Sequence, residues 1–428
     1  MKSSSSPLFL DKLHIHCSKK ERCSIMGRLA PFLFSSLALT TIFSFLFLHS
    51  PSPLKIMPKN GYDQKLSLIE PHKENFHEKC DLFKGHWVPE FRGSQYTNSS
   101  CATIPISKNC FRHGRKDSDF LNWRWKPDNC ELARFDAKAF LKILRGKKLA
   151  FIGDSVARNH LESLLCLLSQ EEIGIDVYKD AEDRHRIWYF TEHDFTLTML
   201  WSKFLVVGEE RMINGSSSGV FDLYLDKIDD KWVRDLPIVD YAIISNAHWF
   251  FRPIYLHQAS NVIGCVYCSE PNVTKYDVLD AIGMSFRAAL RYINECKQCK
   301  KIVTLLRTFS PAHFENGTWN TGGSCNRTSP YGEREIDLTD YQWKLRSIQV
   351  EEIERARNEA GKKGRKRFRV LDVTRAMLMR PDGHPGAYWG NKWMKGYNDC
   401  VHWCLPGPID VWNDFLMAFL TEEAGLIS

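Results

Sequence analysis

The sequence has no strong excess of one charge, no internal repeat and only one long apolar run. Among its 428 residues, 58 Lys and Arg stand against 51 Asp and Glu, a net charge of +7, which is too small for the dense basic surface of a dedicated nucleic-acid-binding protein. Its 25 glycines and 18 prolines are too few for a collagen-like or wholly disordered chain. With 43% hydrophobic and 25% charged residues, the chain is typical of a globular protein with a large core.

The one long apolar run, residues 29–48, predicts a membrane-spanning helix. Its twenty residues carry no charge, and at about 1.5 Å per residue they can cross the ~30 Å hydrocarbon core of a bilayer. Six basic and two acidic residues precede the run, which places residues 1–28 in the cytoplasm. A cleaved signal peptide is the alternative, but no small-residue cleavage site follows the run. As a retained type II anchor, the helix would leave the rest of the chain in a lumen.

Two further patterns agree with a lumenal location. Twelve of the 14 cysteines follow the apolar run, an even number that is typical of disulfide bonding. Zinc is the alternative for four of them, because Cys265 and Cys268, and likewise Cys296 and Cys299, have the spacing of ligand pairs. Five acceptor patterns for N-glycosylation also follow the run, at Asn98, Asn214, Asn272, Asn316 and Asn326.

Composition divides the rest of the chain into three parts. Residues 49–78 contain four prolines among polar residues and show no sustained apolar period, which is typical of a stem. Residues 79–135 contain four cysteines and three tryptophans, so we predict a small disulfide-rich module there. Residues 136–428 form the third part, predicted to be one larger domain.

Apolar runs alternate with helical patterns in this larger domain. Strands are predicted at residues 148–153, 195–201, 241–245, 302–306 and 369–373. Helices are predicted at residues 159–168, 284–296, 341–360 and 410–420. The alternation indicates a doubly wound α/β body around a parallel sheet. A basic run at residues 362–369 is either a solvated connecting segment or a segment that attracts an anionic donor or polysaccharide.

A serine stands where the first of these strands meets a helix. The strand runs through Gly153-Asp154-Ser155 into an amphipathic pattern, so the hydroxyl can project above the carboxyl edge of the sheet. Main-chain N–H groups at the helix start would face an incoming carbonyl there. The nucleophile-elbow pattern Gly-x-Ser-x-Gly is absent, because residue 157 is Ala. A helix cap is the alternative interpretation of Gly-Asp-Ser.

A second motif near the C-terminus supplies the partners that a nucleophilic serine needs. Asp399 and His402 stand three residues apart in a loop that also contains Cys400 and Cys404, a spacing that can place both side chains on one turn. The carboxylate would bind one ring nitrogen and leave the other for the proton of Ser155. A surface ion pair is the alternative interpretation.

Longer motifs point to a family. Gly153-Asp154-Ser155 with Asp399-x-x-His402 resembles the Gly-Asp-Ser-Leu (SGNH) esterase pattern. Four segments resemble the plant trichome birefringence-like family of polysaccharide O-acetyltransferases: CDLFKGHWVP (80–89), GRKD (114–117), WRWKP (123–127) and GDSVARN (153–159). The resemblance covers roughly residues 79–428.

This resemblance implies a Golgi membrane protein of type II, with an SGNH-like three-layer α/β/α domain over residues 136–428. It implies transfer of acetyl to xylan, mannan, xyloglucan or pectin, and residues 153–168 and 248–253 favour xyloglucan or mannan. The family's triad maps to Ser155, Asp399 and His402. No metal or bound cofactor is implied; an acetyl donor, for which acetyl-CoA is one candidate, acts as co-substrate.

The resemblance is weaker for the oxyanion hole and the acceptor groove. This chain reads Ser245-Asn246-Ala247-His248-Trp249, in which the amide is shifted by one position from many relatives. We therefore expect the N–H of Ser155 to be the main oxyanion donor, with Asn246 or Arg158 as second candidates, and His248 to be a packed imidazole. Aromatic residues between 87 and 125 and at 249–251 either flank a polysaccharide groove or fill the core.

Two other functions fit parts of the sequence. A polysaccharide acetyl-esterase would use the same serine, with water in place of the sugar hydroxyl. A non-catalytic polysaccharide-binding protein would explain the aromatic residues but gives no reason for Ser155, Asp399 and His402 to occur together. We therefore predict a Golgi acetyltransferase with a polysaccharide acceptor and no nucleic-acid partner.

Overall fold

The computed structural model describes residues 80–299, 302–363, 367–390 and 396–426. The predicted cytoplasmic tail (1–28), membrane anchor (29–48) and stem (49–78) lie outside these residues, as do residues 364–366 of the basic run at 362–369. Within the described part of the chain, no helix is long and apolar enough to cross a membrane.

Thirteen strands and seven helices form the described part of the chain. The strands are β1 (Gly85–Pro89), β2 (Trp123–Pro127), β3 (Lys148–Gly153), β4 (Ile175–Lys179), β5 (His185–Phe190), β6 (Phe195–Trp201), β7 (Val206–Ile213), β8 (Ser216–Ile228), β9 (Tyr241–Ser245), β10 (Ile254–Gln258), β11 (Asn261–Val266), β12 (Val303–Arg307) and β13 (Arg367–Leu371). The helices are α1 (Ala137–Ile143), α2 (Ser155–Leu168), α3 (Asp230–Val233), α4 (Val278–Glu295), α5 (Tyr341–Lys363), α6 (Thr374–Leu378) and α7 (Val411–Glu423).

A seven-stranded sheet in the order β13-β12-β9-β3-β6-β5-β4 forms the centre of the fold. The five strands from β13 to β6 are parallel. At the other edge β5 runs antiparallel to β6, and β4 antiparallel to β5. The predicted parallel sheet is therefore a mixed sheet. The two antiparallel strands were not predicted, because their side chains are mostly exposed or half-buried and lack the continuous apolar run of a buried parallel strand.

Strand β3 shows how the sheet is covered on both faces. Leu149 and Phe151 pack in the core formed with helices α1, α2 and α7. Ala150 and Ile152, which alternate with them, pack in the core formed with α4 and α5. Because successive side chains of a strand point to opposite faces, the sheet is sandwiched between two helical layers. The predicted three-layer α/β/α architecture is confirmed.

A second sheet, which the sequence analysis did not predict, packs in the same core as α4 and α5. Its four strands have the order β11-β10-β8-β7 and mix parallel and antiparallel pairs. Strand β8 buries only alternate residues, such as Phe221 and Leu223. Its other positions are mostly polar, so no long apolar run marks the strand.

Capping residues explain the two helices that begin earlier than predicted. Helix α2 begins at Ser155 rather than residue 159, because the Asp154 side chain accepts the N–H of Val156. Helix α4 begins at Val278 rather than residue 284, because Asp277 and Asp280 form a capping box. An N-cap side chain satisfies main-chain N–H groups that the first helical turn leaves unpaired.

All twelve cysteines of the described residues are paired in six disulfide bonds. They join Cys80–Cys130, Cys101–Cys166, Cys110–Cys404, Cys265–Cys268, Cys296–Cys299 and Cys325–Cys400. The four cysteines with zinc-like spacing are thus bonded within two short loops. Only the first bond closes within the predicted N-terminal module; the next two fasten this module to α2 and to the loop before α7.

The Cys110–Cys404 bond should stabilise the fold more than a short-loop bond. It joins residues 294 positions apart, whereas Cys265–Cys268 spans three, and closing a longer loop removes more entropy from the unfolded chain. The double variant C110A/C404A should lose about 2–5 kcal/mol in free energy of unfolding, and C265A/C268A less. Thermal unfolding of both checks this; equal losses would contradict it.

Candidate active site

Ser155 is the first residue of helix α2 and lies directly beyond the carboxyl end of β3. Gly153 allows this sharp turn, since its φ is 151° and a Cβ there would lie 1.7 Å from the carbonyl oxygen of Ser245. No residue with a side chain fits so close to the neighbouring strand. The serine is half-buried and, as the first helical residue, has an N–H without an acceptor inside the helix.

Asp154 holds the turn rather than reacting. Its buried carboxylate accepts the N–H of Val156 at 2.9 Å and the N–H groups of Ala247 and His248 at 3.3 and 3.2 Å. Burial would raise the pKa of Asp154, but His248 and Arg307 outweigh it and lower the pKa. The helix-cap interpretation of Gly-Asp-Ser is therefore correct for Asp154, and it leaves the hydroxyl of Ser155 available.

Asp399 and His402 form a hydrogen-bonded pair. The ring Nδ1 of His402 lies 2.8 Å from Oδ2 and 3.1 Å from Oδ1 of Asp399, and the carboxylate also accepts the main-chain N–H of His402 at 2.9 Å. Because a carboxylate only accepts, Nδ1 carries the proton and Nε2 holds the lone pair. Nε2 is buried and has no hydrogen-bond partner among the described residues, the Ser155 hydroxyl included.

The pKa shifts favour a charged carboxylate beside a neutral ring. Burial by itself would raise the pKa of Asp399, but the facing His402 and the charge of Lys108 outweigh it and hold the pKa well below its ordinary range. Burial lowers the pKa of His402 more than Asp399 raises it. The ring is therefore neutral at pH 7, the state in which Nε2 can accept a proton.

The loop of this pair is fastened to the helix that begins at Ser155. Asn159, one turn into α2, accepts the N–H of Trp403 at 2.8 Å and donates to its carbonyl at 3.3 Å. His248, which lies beside Asp154, also affects the pKa of His402. The structure thus brings the three predicted triad residues to one end of the parallel strands.

Ser155 opens onto a cleft of about 510 Å³. Its walls include Lys108 from the N-terminal module, Arg158 and Glu162 from α2, and Trp201 from the end of β6. The indole N–H of Trp201 is buried and has no partner among the described residues, so it can donate to a ligand. A charged wall with an aromatic ring suits a polar, hydroxyl-bearing substrate.

The oxyanion candidates differ in how they are held. The side-chain amide of Asn246 is buried and donates to the carbonyl of Ser202 at 2.8 Å. Arg158 pairs with Asp183 at 3.7 Å and lies over the ring of Trp201. Of the three candidates, the main-chain N–H of Ser155 is the one that lies at the helix start, and its role as the main oxyanion donor stays a prediction.

His248 and several of the predicted groove aromatics pack internally. The His248 ring stacks on Phe309 with centroids 4.8 Å apart, and its Nε2 lies 3.0 Å from the carbonyl of Ser310. Trp125 and Phe250 are almost fully buried. Trp87 packs edge-on against Trp125. For these residues the core interpretation is correct, because their rings fill space between helices and strands. The tryptophans that line the Ser155 cleft lie outside both predicted segments.

Sequence analysis missed two residues that support the His402 loop. The buried Arg115, from the GRKD segment, binds Asp117 and donates to the carbonyls of Asp382 and His384 at 2.7 and 3.1 Å. His384 Nδ1 in turn lies 2.6 Å from the carbonyl of His402. The family resemblance includes the GRKD segment but assigns it no role. The role could not be predicted from the sequence, because these contacts join parts of the chain about 270 residues apart.

All five predicted glycosylation asparagines are exposed. Glycosylation itself stays a prediction. Within the described ranges, no group of three or more His, Cys, Asp or Glu side chains is arranged to hold a metal ion.

Comparison with known sequences decides the family. Residues 132–419 match the profile of the GDSL/SGNH-like acyl-esterase family found in Pmr5 and Cas1p. The chain belongs to this family. Residues 78–131 match the PMR5 N-terminal domain. Together the two profiles cover the strands, the cleft and the Asp399–His402 loop described above.

Several plant proteins are similar over nearly the whole chain. Xyloglucan O-acetyltransferase 4 of Populus trichocarpa is 68% identical over 404 residues, which cover 94% of this chain and 95% of that one. Xyloglucan O-acetyltransferase 2 of Arabidopsis thaliana is 57% identical over 426 residues, covering 99% and 100%. Trichome birefringence-like protein 19 of Arabidopsis thaliana is 44% identical over 81% of this chain and 82% of its own.

Replacement of Ser155 by alanine tests the nucleophile. Loss of the hydroxyl should lower the rate of acyl transfer by about 10⁶-fold, as removal of the serine does in a protease triad. The matched control is Ser169→Ala at the other end of α2, whose hydroxyl donates to the carbonyl of Cys166 and accepts from the side-chain amide of Gln170. Initial rates with equal melting temperatures give the comparison; a near-normal rate for Ser155→Ala would rule out the serine mechanism.

The pH dependence of kcat/KM tests the Asp399–His402 pair. Since burial lowers the pKa of His402 below its ordinary 6.5, the acid limb of kcat/KM should have its midpoint below pH 6.5. In Asp399→Asn the plateau should fall about 10⁴-fold. The midpoint should move to lower pH, because the lost charge had raised the ring's pKa. Rates across the acid limb measure both; an upward shift, or unchanged turnover with weaker acceptor binding, would refute the assigned role of Asp399.

Proposed function

We propose that this protein is an O-acetyltransferase that moves an acetyl group through Ser155 to hydroxyls of xyloglucan. The hydrogen-bonded Asp399–His402 pair fastened beside the start of α2 is the observation that carries the chemistry. Relatives up to 68% identical are named xyloglucan O-acetyltransferases, which supports both the reaction and the acceptor. The mannan alternative has no such support.

In the first step Ser155 takes the acetyl group from the donor. Nε2 of His402 accepts the hydroxyl proton while Oγ attacks the acetyl carbonyl, and the N–H of Ser155 stabilises the oxyanion. The bond between the acetyl carbon and the leaving group then breaks, and the leaving group takes the proton from His402. Asp399 keeps the ring oriented and stabilises its transient positive charge.

In the second step the acetyl group passes to the sugar. A xyloglucan hydroxyl attacks the acetyl-serine carbonyl and gives its proton to Nε2 of His402. The Oγ–acetyl bond breaks, and Ser155 recovers the proton from the imidazolium. Water in place of the sugar hydroxyl would give hydrolysis, so transfer requires the acceptor to occupy the site first. Trp201 and the half-buried wall of α2 are the surfaces of the Ser155 cleft that support its binding there after the leaving group of the donor has departed.

We also propose a Golgi membrane location with the described residues in the lumen. The apolar residues 29–48 with their basic flank support an anchor, and the six disulfide bonds support an oxidising compartment. No bound cofactor or metal takes part in the proposed reaction. An acetyl donor acts as co-substrate, with acetyl-CoA as one candidate.

An acceptor panel tests the function. Purified protein, acetyl donor and unacetylated xyloglucan, glucomannan or xylan oligosaccharides are incubated, and the products are read by mass spectrometry. Net gain of acetyl on xyloglucan, absent with Ser155→Ala, is expected. Parallel incubation with already acetylated oligosaccharides measures release. Net loss of acetyl would make the protein an esterase instead, and gain only on another polymer would refute the proposed acceptor.

A further inference from the structure

Lys108 is a buried cation in the wall of the cleft beside Ser155. It ends a short 3₁₀ turn, Ile106–Lys108, and only 9% of its surface is exposed. The turn is held against the active-site loop, since the carbonyl of Lys108 accepts the N–H of Leu405 at 2.9 Å and the Cys110–Cys404 bond lies next to it. The main chain of Lys108 therefore cannot move away without disturbing the loop of His402.

No acidic oxygen among the described residues lies within ion-pair distance of the Lys108 ammonium. Within the described ranges, its side chain donates one hydrogen bond, to Oγ of Ser107 at 3.3 Å. An ammonium has three donors, and its burial without an anionic partner is unfavourable. Such a group in the wall of an open cleft points to a ligand that supplies the missing negative charge.

The other charges of the cleft do not compensate Lys108. Arg158 pairs with Asp183 at 3.7 Å, and Arg186 pairs with Asp176 at 2.6 Å and with Asp183 at 3.5 Å, so both arginines already have acidic partners. Burial raises the pKa of Glu162 to about 7, although Lys108 and Arg158 lower it in part. This carboxyl therefore carries less than a full negative charge at pH 7. The net charge of the cleft is positive, and Lys108 is the cation there that has no anionic partner among the described residues.

The two substrates of the proposed reaction differ in what they can offer this charge. A xyloglucan acceptor consists of neutral sugars and gains little from a buried cation. An acyl donor has a leaving group, and a phosphate there would match an ammonium that is already desolvated. We propose that Lys108 binds a phosphate of the acetyl donor, so that the cleft beside Ser155 is the donor's binding site. This inference rests on the proposed acetyl transfer.

Equilibrium binding tests the proposal without requiring turnover. The full-length protein is titrated with coenzyme A, with pantetheine, which has the same thiol arm but no phosphate, and with inorganic pyrophosphate. The variants are Lys108→Met, which keeps the length but removes the charge, and Lys108→Arg, which keeps the charge. Lys126→Met is the matched control, because Lys126 is in the same module and pairs with Glu131 at the surface.

Wild type and Lys126→Met should bind coenzyme A at least about tenfold more tightly than pantetheine, because a charge-assisted hydrogen bond adds that much. Lys108→Met should lose this preference and weaken pyrophosphate binding by a similar factor, and Lys108→Arg should keep most of both. Equal melting temperatures of the variants exclude misfolding as the cause.

Three results would overturn the proposal. Wild type could bind neither coenzyme A nor pyrophosphate, Lys108→Met could bind both as wild type does, or coenzyme A and pantetheine could weaken equally in the variant. A companion measurement of thiol release from acetyl-CoA and S-acetylpantetheine separates binding from chemistry. An equal loss of kcat with both donors would place Lys108 at the reacting carbonyl instead. Failure of acetyl transfer to xyloglucan would refute the proposed function, whereas the binding measurements would still decide whether Lys108 binds phosphate.

Discussion

The candidate active site depends on the attachment of one loop to one helix. Asn159 of α2 bonds both the N–H and the carbonyl of Trp403, the residue that follows His402. Ser155 lies one turn earlier on the same helix, so a single side chain sets the base against the nucleophile. The two disulfide bonds at Cys400 and Cys404 remove freedom from the same loop before any substrate arrives.

The N-terminal module belongs to the active site rather than standing apart from it. Its Arg115 reaches the segment that supports the His402 carbonyl, and its Lys108 enters the cleft of Ser155. One of its disulfide bonds ends on the loop itself. This integration gives a physical reason why the GRKD segment accompanies the Gly-Asp-Ser motif in the family: the module positions the base and contributes to the wall of the binding site.

The sequence was most informative where a structure is local. Strand β3 was predicted to the residue, because all its inner positions are apolar, and the spacing of Asp399 and His402 indicated their hydrogen bond. Contacts between distant segments could not be read in this way. Strand β8 buries alternate residues and has no long apolar run. Lys108 is held beside the cleft because the nearby Cys110 forms a disulfide bond with Cys404, 294 positions further along the chain. The internal packing of Trp125 likewise depends on such contacts.

The central claim is that the acetyl group rests on Ser155 between donor and acceptor. Incubation with donor alone, rapid acid quenching and peptide mass spectrometry would measure this intermediate directly. The account predicts the mass of one acetyl group on the peptide that contains Ser155, lost when xyloglucan oligosaccharide is added before the quench. Acetylated xyloglucan formed at a normal rate, with no acetyl on that peptide at any time, would contradict it and indicate direct transfer from donor to sugar.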